Sequence, residues 1–159
     1  MVGPAAAVVA WAGERAAAAE LAARLETGSP NTLLYRAVAA WRAGRPAEAL
    51  PALRELASSH ASGSSFLDGY FHGEAALEAG RLDEAVEALR RHERRSVSIC
   101  WLAFGHPRSL LLLARALEAQ GRPAEARAVA ERLGRLWRDA EPDYPGLLEL
   151  RALEARLRR

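Results

Sequence analysis

The sequence has no lysine and only one cysteine. All 22 of its basic residues are arginines, and 20 acidic residues oppose them, so the formal net charge is +2. A charge so close to balance does not favour nucleic acid as a partner. The arginine bias indicates a GC-rich genome, or selection for guanidinium chemistry if the arginines cluster on one face. The lone Cys100 excludes a disulfide within the chain, and its apolar neighbours favour a buried thiol over a nucleophile.

Long hydrophobic runs are also missing. No stretch is long enough to cross a bilayer, and no arginine precedes the apolar residues at 5–12, as a signal peptide would require. We therefore expect a soluble, cytoplasmic protein with no membrane partner. Little sequence precedes Gly13, so we expect the first structural unit to be incomplete at its start.

The chain carries no recognisable catalytic, cofactor or metal motif. Its four histidines lack the spacing of metal ligands, and its glycines are isolated rather than gathered in a phosphate-binding loop. His72 and Glu74 lie two apart on a helix, so they point to different faces, and we expect each histidine at a surface or interface. The acids Asp139, Glu141 and Asp143 are too few for calcium. We predict a protein that is not an enzyme and binds no cofactor or metal.

A six-residue phrase, in contrast, occurs three times. It begins at Gly44, Gly80 and Gly121, which are 36 and 41 residues apart, and each copy lies between stretches rich in alanine and leucine. Alanine and leucine have the highest helix propensities, and self-similarity at this period is typical of helical repeats. Such arrays mostly present surfaces to partners.

Each phrase combines a helix stop with a helix start. The glycine can adopt the left-handed conformation that often follows a helix. Pro46 and Pro123 suit the first turn of the next helix, where a missing N–H costs nothing. An acid follows two residues after each proline position, near the positive end of the helix dipole (Glu48, Glu84 and Glu125). The short connection predicts antiparallel neighbouring helices.

Small residues recur on both sides of each glycine. Ala49, Ala85 and Ala126 stand five residues after it, and Ala37, Gly73 and Ala114 stand seven before it. We expect these two positions to face each other where the helices of a hairpin approach closely.

These residues resemble the tetratricopeptide repeat family, whose units of about 34 residues place a small residue, a helix-ending glycine and an alanine at these spacings. An earlier unit around Gly13 and Ala18 also fits. The resemblance implies an all-α, right-handed α-α superhelix of three to four hairpins with a C-terminal capping helix. We expect a single domain over residues 1–159, with units at about 1–29, 30–63, 64–106 and 107–138 and the capping helix at about 146–158. The large aromatics of the family pattern are replaced, for example by Leu33 and Ala40, so the repeats are degenerate.

The segment 136–145 resembles the end of repeat regions in large bacterial signalling proteins. After it, leucines alternate with charged residues up to Leu157, which predicts an amphipathic helix with a polar outer side. This helix could be a terminal cap or a dimerisation helix. Two breaks in the repeat spacing are expected as a loop at 58–65 and an insertion at 90–106. The arginines at 90–95 could contact phosphate, or could form a solvated helix end.

In the tetratricopeptide family the first helices of successive units line a concave surface. The resemblance implies that this surface binds a peptide or protein segment. An alternative is a regulatory or sensor segment of a larger bacterial signalling protein, such as a kinase, cyclase or transcription regulator. The lysine–asparagine clamp of some relatives is not reproduced. The partner-binding positions carried over by register are Trp11, Asn31, Leu34, Val38, Trp41, Arg42, Tyr70, Glu74, Leu77, Arg108, Leu111, Arg115 and Glu118.

Overall fold

The protein is described by a computed structural model over residues 30–58, 65–96 and 102–159. These ranges contain helices and turns but no strand. The expected first unit, with Trp11 and Gly13, and the predicted buried Cys100 lie outside the described residues. The helices are α1 (Pro30–Arg42), α2 (Pro46–Ser58), α3 (Ser65–Glu78), α4 (Leu82–Ser96), α5 (Leu102–Ala119), α6 (Pro123–Leu136) and α7 (Pro145–Leu157).

The three phrase glycines end α1, α3 and α5, as predicted. Gly44, Gly80 and Gly121 have φ values of 83°, 71° and 71°, in the left-handed region. At the middle turn, the Gly80 N–H donates to the Leu77 carbonyl at 3.0 Å and the Arg81 N–H donates to the Ala76 carbonyl at 2.8 Å. The same pair of bonds closes the other two turns. This is the Schellman arrangement, which satisfies carbonyls that the end of a helix would otherwise leave unpaired.

A new helix begins two residues after each glycine. Pro46 and Pro123 are the first residues of α2 and α6, and the acids Glu48, Glu84 and Glu125 lie in the first turns. The predicted stop-and-start function of the phrase is therefore confirmed. Each turn makes a hairpin of two contacting helices: α1 with α2, α3 with α4, and α5 with α6.

The hairpins stack in sequence order. Each even-numbered helix also contacts the helix that follows it, and the odd-numbered helices contact one another as α1–α3, α3–α5 and α5–α7. The odd-numbered helices therefore form an inner layer, and α2, α4 and α6 form an outer layer. This is the all-α superhelix that the repeat predicts.

The small residues of the phrase lie in the core between the layers. Ala49, Ala85 and Ala126 are fully buried. A Cβ added to Gly73 would overlap the Leu89 side chain, lying 2.7 Å from its Cδ2, so α3 and α4 approach too closely there for a larger residue. Leucines from α5 fill much of the remaining volume, and Leu110 to Leu113 are all buried.

The two expected breaks in spacing are partly helical. Helix α2 continues to Ser58 and α3 begins at Ser65, so both ends of the expected loop belong to helices, and positions 59–64 lie outside the described residues. Helix α4 extends through Ser96 and α5 begins at Leu102, so most of the expected insertion belongs to these two helices. Of the helices described, none combines the length and the apolar character that a bilayer crossing requires.

We predict opposite effects of alanine at two glycines. Gly80→Ala places a side chain at a positive φ and should lower the free energy of unfolding by about 1–2 kcal/mol. Gly134→Ala, inside α6, places the new Cβ at ordinary contact distance, 3.8 Å from Glu154 Oε1. This change should raise the free energy of unfolding by about 0.5–1 kcal/mol, because alanine has the higher helix propensity. Urea denaturation followed by circular dichroism measures both. Equal effects of the two variants would contradict the helix-ending role of Gly80.

A second prediction tests the close approach of α3 and α4. Gly73→Ala should destabilise the protein by about 1–3 kcal/mol because its Cβ would overlap Leu89. Leu89→Ala alone should cost about 2–5 kcal/mol through the cavity that it leaves. The double variant should be more stable than the sum of the two losses, since the clash is gone. Simple additivity in a double-mutant cycle would show that the two residues do not meet.

Candidate functional site: a cleft on the inner helices

A cleft of about 340 Å³ opens on the inner layer. Its walls come from all four inner helices together with the turn between α6 and α7. Charged residues with aromatic neighbours dominate the lining, which consists of Arg42, Tyr70, Glu74, Arg108, Trp137, Tyr144, Pro145, Gly146 and Glu149.

The carboxylate of Glu74 lies at the centre of the charged part. Glu74 is 6% exposed and accepts a hydrogen bond from the Tyr70 hydroxyl one turn earlier in α3. A guanidinium nitrogen of Arg42 lies 3.8 Å from its Oε2 and one of Arg108 lies 4.0 Å from its Oε1. These distances are those of ion pairs but are too long for hydrogen bonds. Burial raises the pKa of Glu74 above its usual range, although Tyr70 and the two arginines act to lower it.

Further arginine–carboxylate pairs extend this group to α7. Arg108 donates to Glu149 at 2.8 Å, and Arg115 of α5 lies 3.6 Å from the other oxygen of Glu149. One turn after Arg115 in α5, Glu118 accepts a hydrogen bond from Arg156 of α7 at 2.8 Å. Alternating charges thus connect the four inner helices from Arg42 in α1 to Arg156 in α7. We call this series the inner ion-pair ladder.

The indole of Trp41, buried behind the cleft, supports the Arg42 side chain that lines it. Trp41 is 1% exposed, and its Nε1 donates to Glu78 of α3 at 2.5 Å. The guanidinium of Arg42 lies 4.0 Å from the centre of the Trp41 ring, within the range of a cation–π contact. The stacked indole therefore helps to fix the direction in which Arg42 enters the cleft.

Aromatic rings form the opposite wall. Trp137 at the end of α6 meets Tyr144 edge to face, with ring centroids 5.3 Å apart, and the two rings enclose Gly146 in the first turn of α7. Tyr144 keeps 45% of its surface exposed. The cleft therefore offers charged groups on one side and an aromatic edge on the other.

The structure brings four of the predicted partner-binding residues into the cleft: Arg42, Tyr70, Glu74 and Arg108. Arg115 and Glu118 lie farther along α5 and pair with α7. Leu77 is half-buried against the core. Trp11 lies outside the described residues, and Asn31 lies in α1, where its side chain is not described.

The resemblance implies that these inner positions are exposed on the concave surface, and for several of them this is wrong. Leu34, Val38, Trp41 and Leu111 are each no more than 3% exposed, and Tyr70 is 4% exposed although it lines the cleft. The inner helices pack side by side, so apolar side chains on these positions gain more from burial between helices than a groove surface would allow.

Sequence reasoning missed a second cluster, which joins three helices. His72 of α3 is 3% exposed, and its Nε2 lies 2.8 Å from Oε1 of Glu84 in α4. Arg54 of α2 donates to the same oxygen at 2.7 Å, and Arg81 lies 3.2 Å from the other one. Burial acts to raise the pKa of Glu84, but the hydrogen bonds of His72 and Arg54 outweigh it and hold the pKa below its usual range.

The sequence predicts that the histidines lie at a surface or an interface. His72 and His92 are both buried, and His72 lies at the contact between α3 and α4, so neither is a surface residue. No spacing within one helix reveals either one, because their partners lie on neighbouring helices, as Glu84 does for His72 and Tyr70 for His92. His106 is half-buried, and His60 lies outside the described residues.

The arginine run belongs to the last turns of α4, where acids engage it. Arg90 pairs with Glu125 of α6 at 2.6 Å, and Arg91 pairs with Glu87. Within the run, Glu93 receives a hydrogen bond from Arg132. These contacts connect the outer helices α4 and α6. Over the described ranges, no group of three or more histidine, cysteine or acidic residues is placed to hold a metal ion.

Comparisons with known proteins agree with this architecture. Two sequence models described as tetratricopeptide repeat match residues 34–98 and 107–132, which together exceed half of the chain. The chain belongs to the tetratricopeptide repeat family, with degenerate repeats. No protein with curated annotation matches it in sequence.

Two crystal structures show the same fold. Both contain nearly identical TPR-like repeats of a protein assigned as a kinesin light chain from Podosopora anserina. One of them carries a single glutamine-to-methionine substitution and has a TM-score of 0.66 at 20% identity, covering 96% of this chain and 81% of that one. The other has a TM-score of 0.60 at 19% identity, covering 97% and 93%. At these identities the likeness concerns the fold.

The carboxylates of Glu74 and Glu84 should respond oppositely to pH. Glu84→Gln should cost about 1–2 kcal/mol at neutral pH, since it removes charge-assisted bonds to Arg54 and His72. Because the folded-state pKa of Glu84 is lowered, this loss should shrink as the pH falls below the usual carboxyl range. For Glu74, whose pKa is raised, the wild type loses stability as the pH rises, so Glu74→Gln should gain relative stability towards neutral pH. Urea titrations from about pH 3 to about pH 8 measure both, since the Glu84 effect appears only below the usual carboxyl range. Parallel pH profiles of the two variants would refute the assignment.

Proposed function

We propose that this chain is a noncatalytic scaffold that binds a peptide or protein segment in the cleft on its inner layer. The family consists generally of repeat proteins that mediate protein–protein interactions, which supports a scaffold function for this chain. The proposal that a segment binds on the inner layer rests on the geometry of the cleft. It also assumes that the described hairpins act as one domain and that the protein works in the cytoplasm.

One observation carries the proposal. Arg42 and Arg108 lie on either side of Glu74 at ion-pair distance without hydrogen-bonding to it. A guanidinium has five N–H donors in a fixed fork, so both arginines keep donors that can reach a peptide carbonyl or carboxylate in the cleft. Arginine, tyrosine and tryptophan are also the residues most often found at interface hot spots.

The aromatic wall supplies the apolar part of the binding surface. Tyr144 is partly exposed, whereas Trp137 behind it is 9% exposed and holds its ring in place. A rigid aromatic edge contributes contact area at little cost in side-chain entropy. The cleft volume of about 340 Å³ fits one or two side chains of a bound segment rather than a folded domain.

The prediction is that Arg42→Ala and Arg108→Ala each weaken peptide binding by about tenfold or more, the loss expected for a desolvated charged contact. Ligands selected from a random peptide display library serve as probes, and isothermal titration calorimetry measures their affinity. Arg115→Glu, nearer the α7 end of the ladder, should have a smaller effect.

The matched control is Arg135→Ala, which removes an exposed arginine from the outer helix α6. Circular dichroism confirms folding of each variant. Unchanged affinity in both cleft variants, or equal loss in the control, would reject the cleft as the binding site. Trp41 and Tyr70 are unsuitable for this test, because both are buried and their replacement would disturb the core.

The alternative function, regulation within a larger bacterial signalling protein, is motivated by the segment 136–145. It predicts that the complete reading frame also encodes a kinase, cyclase or DNA-binding domain. The sequence of that reading frame decides this alternative, and its outcome leaves the cleft proposal unaffected.

A further inference from the structure

Among the described helices, α7 has an inner-layer neighbour on one side only, where it contacts α5. Leu150, Leu153 and Leu157 are buried against α5 and α6. Glu149 and Arg156, beside this stripe, pair with α5. By comparison, α3 and α5 each contact an inner helix on both sides.

The opposite side of α7 is apolar and exposed. Leu148, Ala152 and Ala155 are spaced by four and three residues, so they share one face, and all three are exposed. Leu148 is 50% exposed, and Tyr144, one turn before it, is 45% exposed. We call these four residues the α7 stripe.

An apolar stripe is unusual on the exposed face of a helical repeat array, where polar residues keep the array soluble. Within the described part of the chain, the large hydrophobic residues with such exposure are Leu136, Tyr144 and Leu148, and all three lie in α6, α7 or the turn between them. The polar outer side expected for a capping helix is therefore interrupted along the α7 stripe. This is the pattern of a surface that associates with another.

The geometry points to a second copy of this chain as the occupant, with the two α7 helices packed antiparallel about a two-fold axis. In such an isologous contact, Leu148 of one copy lies near Ala155 of the other, and Ala152 lies close to the axis. The small alanine side chains permit close approach of the helices. Consecutive helices throughout this fold already pack in the same antiparallel manner.

Charges at the two ends of α7 favour this orientation. Glu141 and Asp143 are exposed in the turn before the helix, and Arg158 and Arg159 are exposed after it. An antiparallel pair brings the acidic end of one copy to the basic end of the other, whereas a parallel pair would bring like charges together. Arg151 donates to the Pro142 carbonyl at 3.4 Å, so its charge is directed away from the middle of the stripe.

The size of the contact sets the expected affinity. A single helix of 13 residues buries less surface than a standard stable interface does. We therefore expect a monomer–dimer equilibrium with a dissociation constant in the micromolar range, sensitive to salt because of the charged ends.

Sedimentation equilibrium of the 159-residue chain from micromolar to millimolar concentration tests the proposal. The wild type should dimerise, and Leu148→Glu and Ala152→Arg should each raise the dissociation constant about tenfold or more, since each change occurs in both partners. Ala128→Arg places the same charge on an exposed alanine of α6 and should leave the dissociation constant unchanged. A monomer at every concentration, or dimers that tolerate both stripe variants, would overturn the proposal.

Cysteine cross-linking distinguishes the two-fold arrangement from head-to-tail stacking. In a Cys100→Ala background, Ala152→Cys should form a disulfide-linked dimer under mild oxidation, because the two copies of residue 152 meet near the axis. Ala128→Cys is the control and should remain monomeric under the same conditions. A dimer that forms in solution but cross-links no faster through residue 152 than through residue 128 would reject the two-fold contact.

Discussion

The fold depends on the reversal of the backbone at three glycines with positive φ. Each left-handed residue allows two hydrogen bonds to close the end of one helix while the next helix begins two residues later. This leaves no room for a flexible connection, so the two helices of a hairpin must lie against each other. The small residues on either side of the glycine then become necessary, because the backbones meet where a larger side chain would not fit, as at Gly73. Layering, burial of the leucines and the position of the cleft all follow from this constraint.

Arginine is the only basic residue of the chain, and the structure shows what it does there. Guanidinium groups join helices on both layers: Arg108 and Arg156 on the inner one, and Arg54, Arg90 and Arg132 on the outer one. Among the described residues the arginines therefore do not cluster on one face, so a single arginine-rich interface does not explain their use in this part of the chain. A planar group with several donors can engage carboxylates of two neighbouring helices, as Arg108 does with Glu74 and Glu149. The inner ion-pair ladder consequently alternates Arg42, Arg108, Arg115 and Arg156 with the carboxylates of α3, α5 and α7.

The elements that the sequence predicts well are those set by local geometry. The glycine turns, the prolines that begin α2 and α6, and the small residues such as Ala85 depend on positions a few residues apart. The site was predicted less well. The repeat register correctly brought Arg42, Tyr70, Glu74 and Arg108 to one side, but it could not tell which inner positions would be covered by a neighbouring helix. Trp41 and Leu111 are buried for that reason, and the His72–Glu84 pair depends on a contact between two helices that no spacing within one helix can encode.

The order of contacts along the chain has a consequence for how the molecule is made. Side-chain hydrogen bonds between the described helices join residues no more than 41 positions apart, as between Arg108 and Glu149. A layer can therefore be completed as soon as the next hairpin has left the ribosome, without waiting for a distant partner segment. Low separation between contacting residues also favours rapid folding. If the structure grows from its first hairpin towards α7, each core leucine is exposed to solvent only until the next hairpin covers it. Such growth protects an alanine- and leucine-rich chain from aggregation during synthesis.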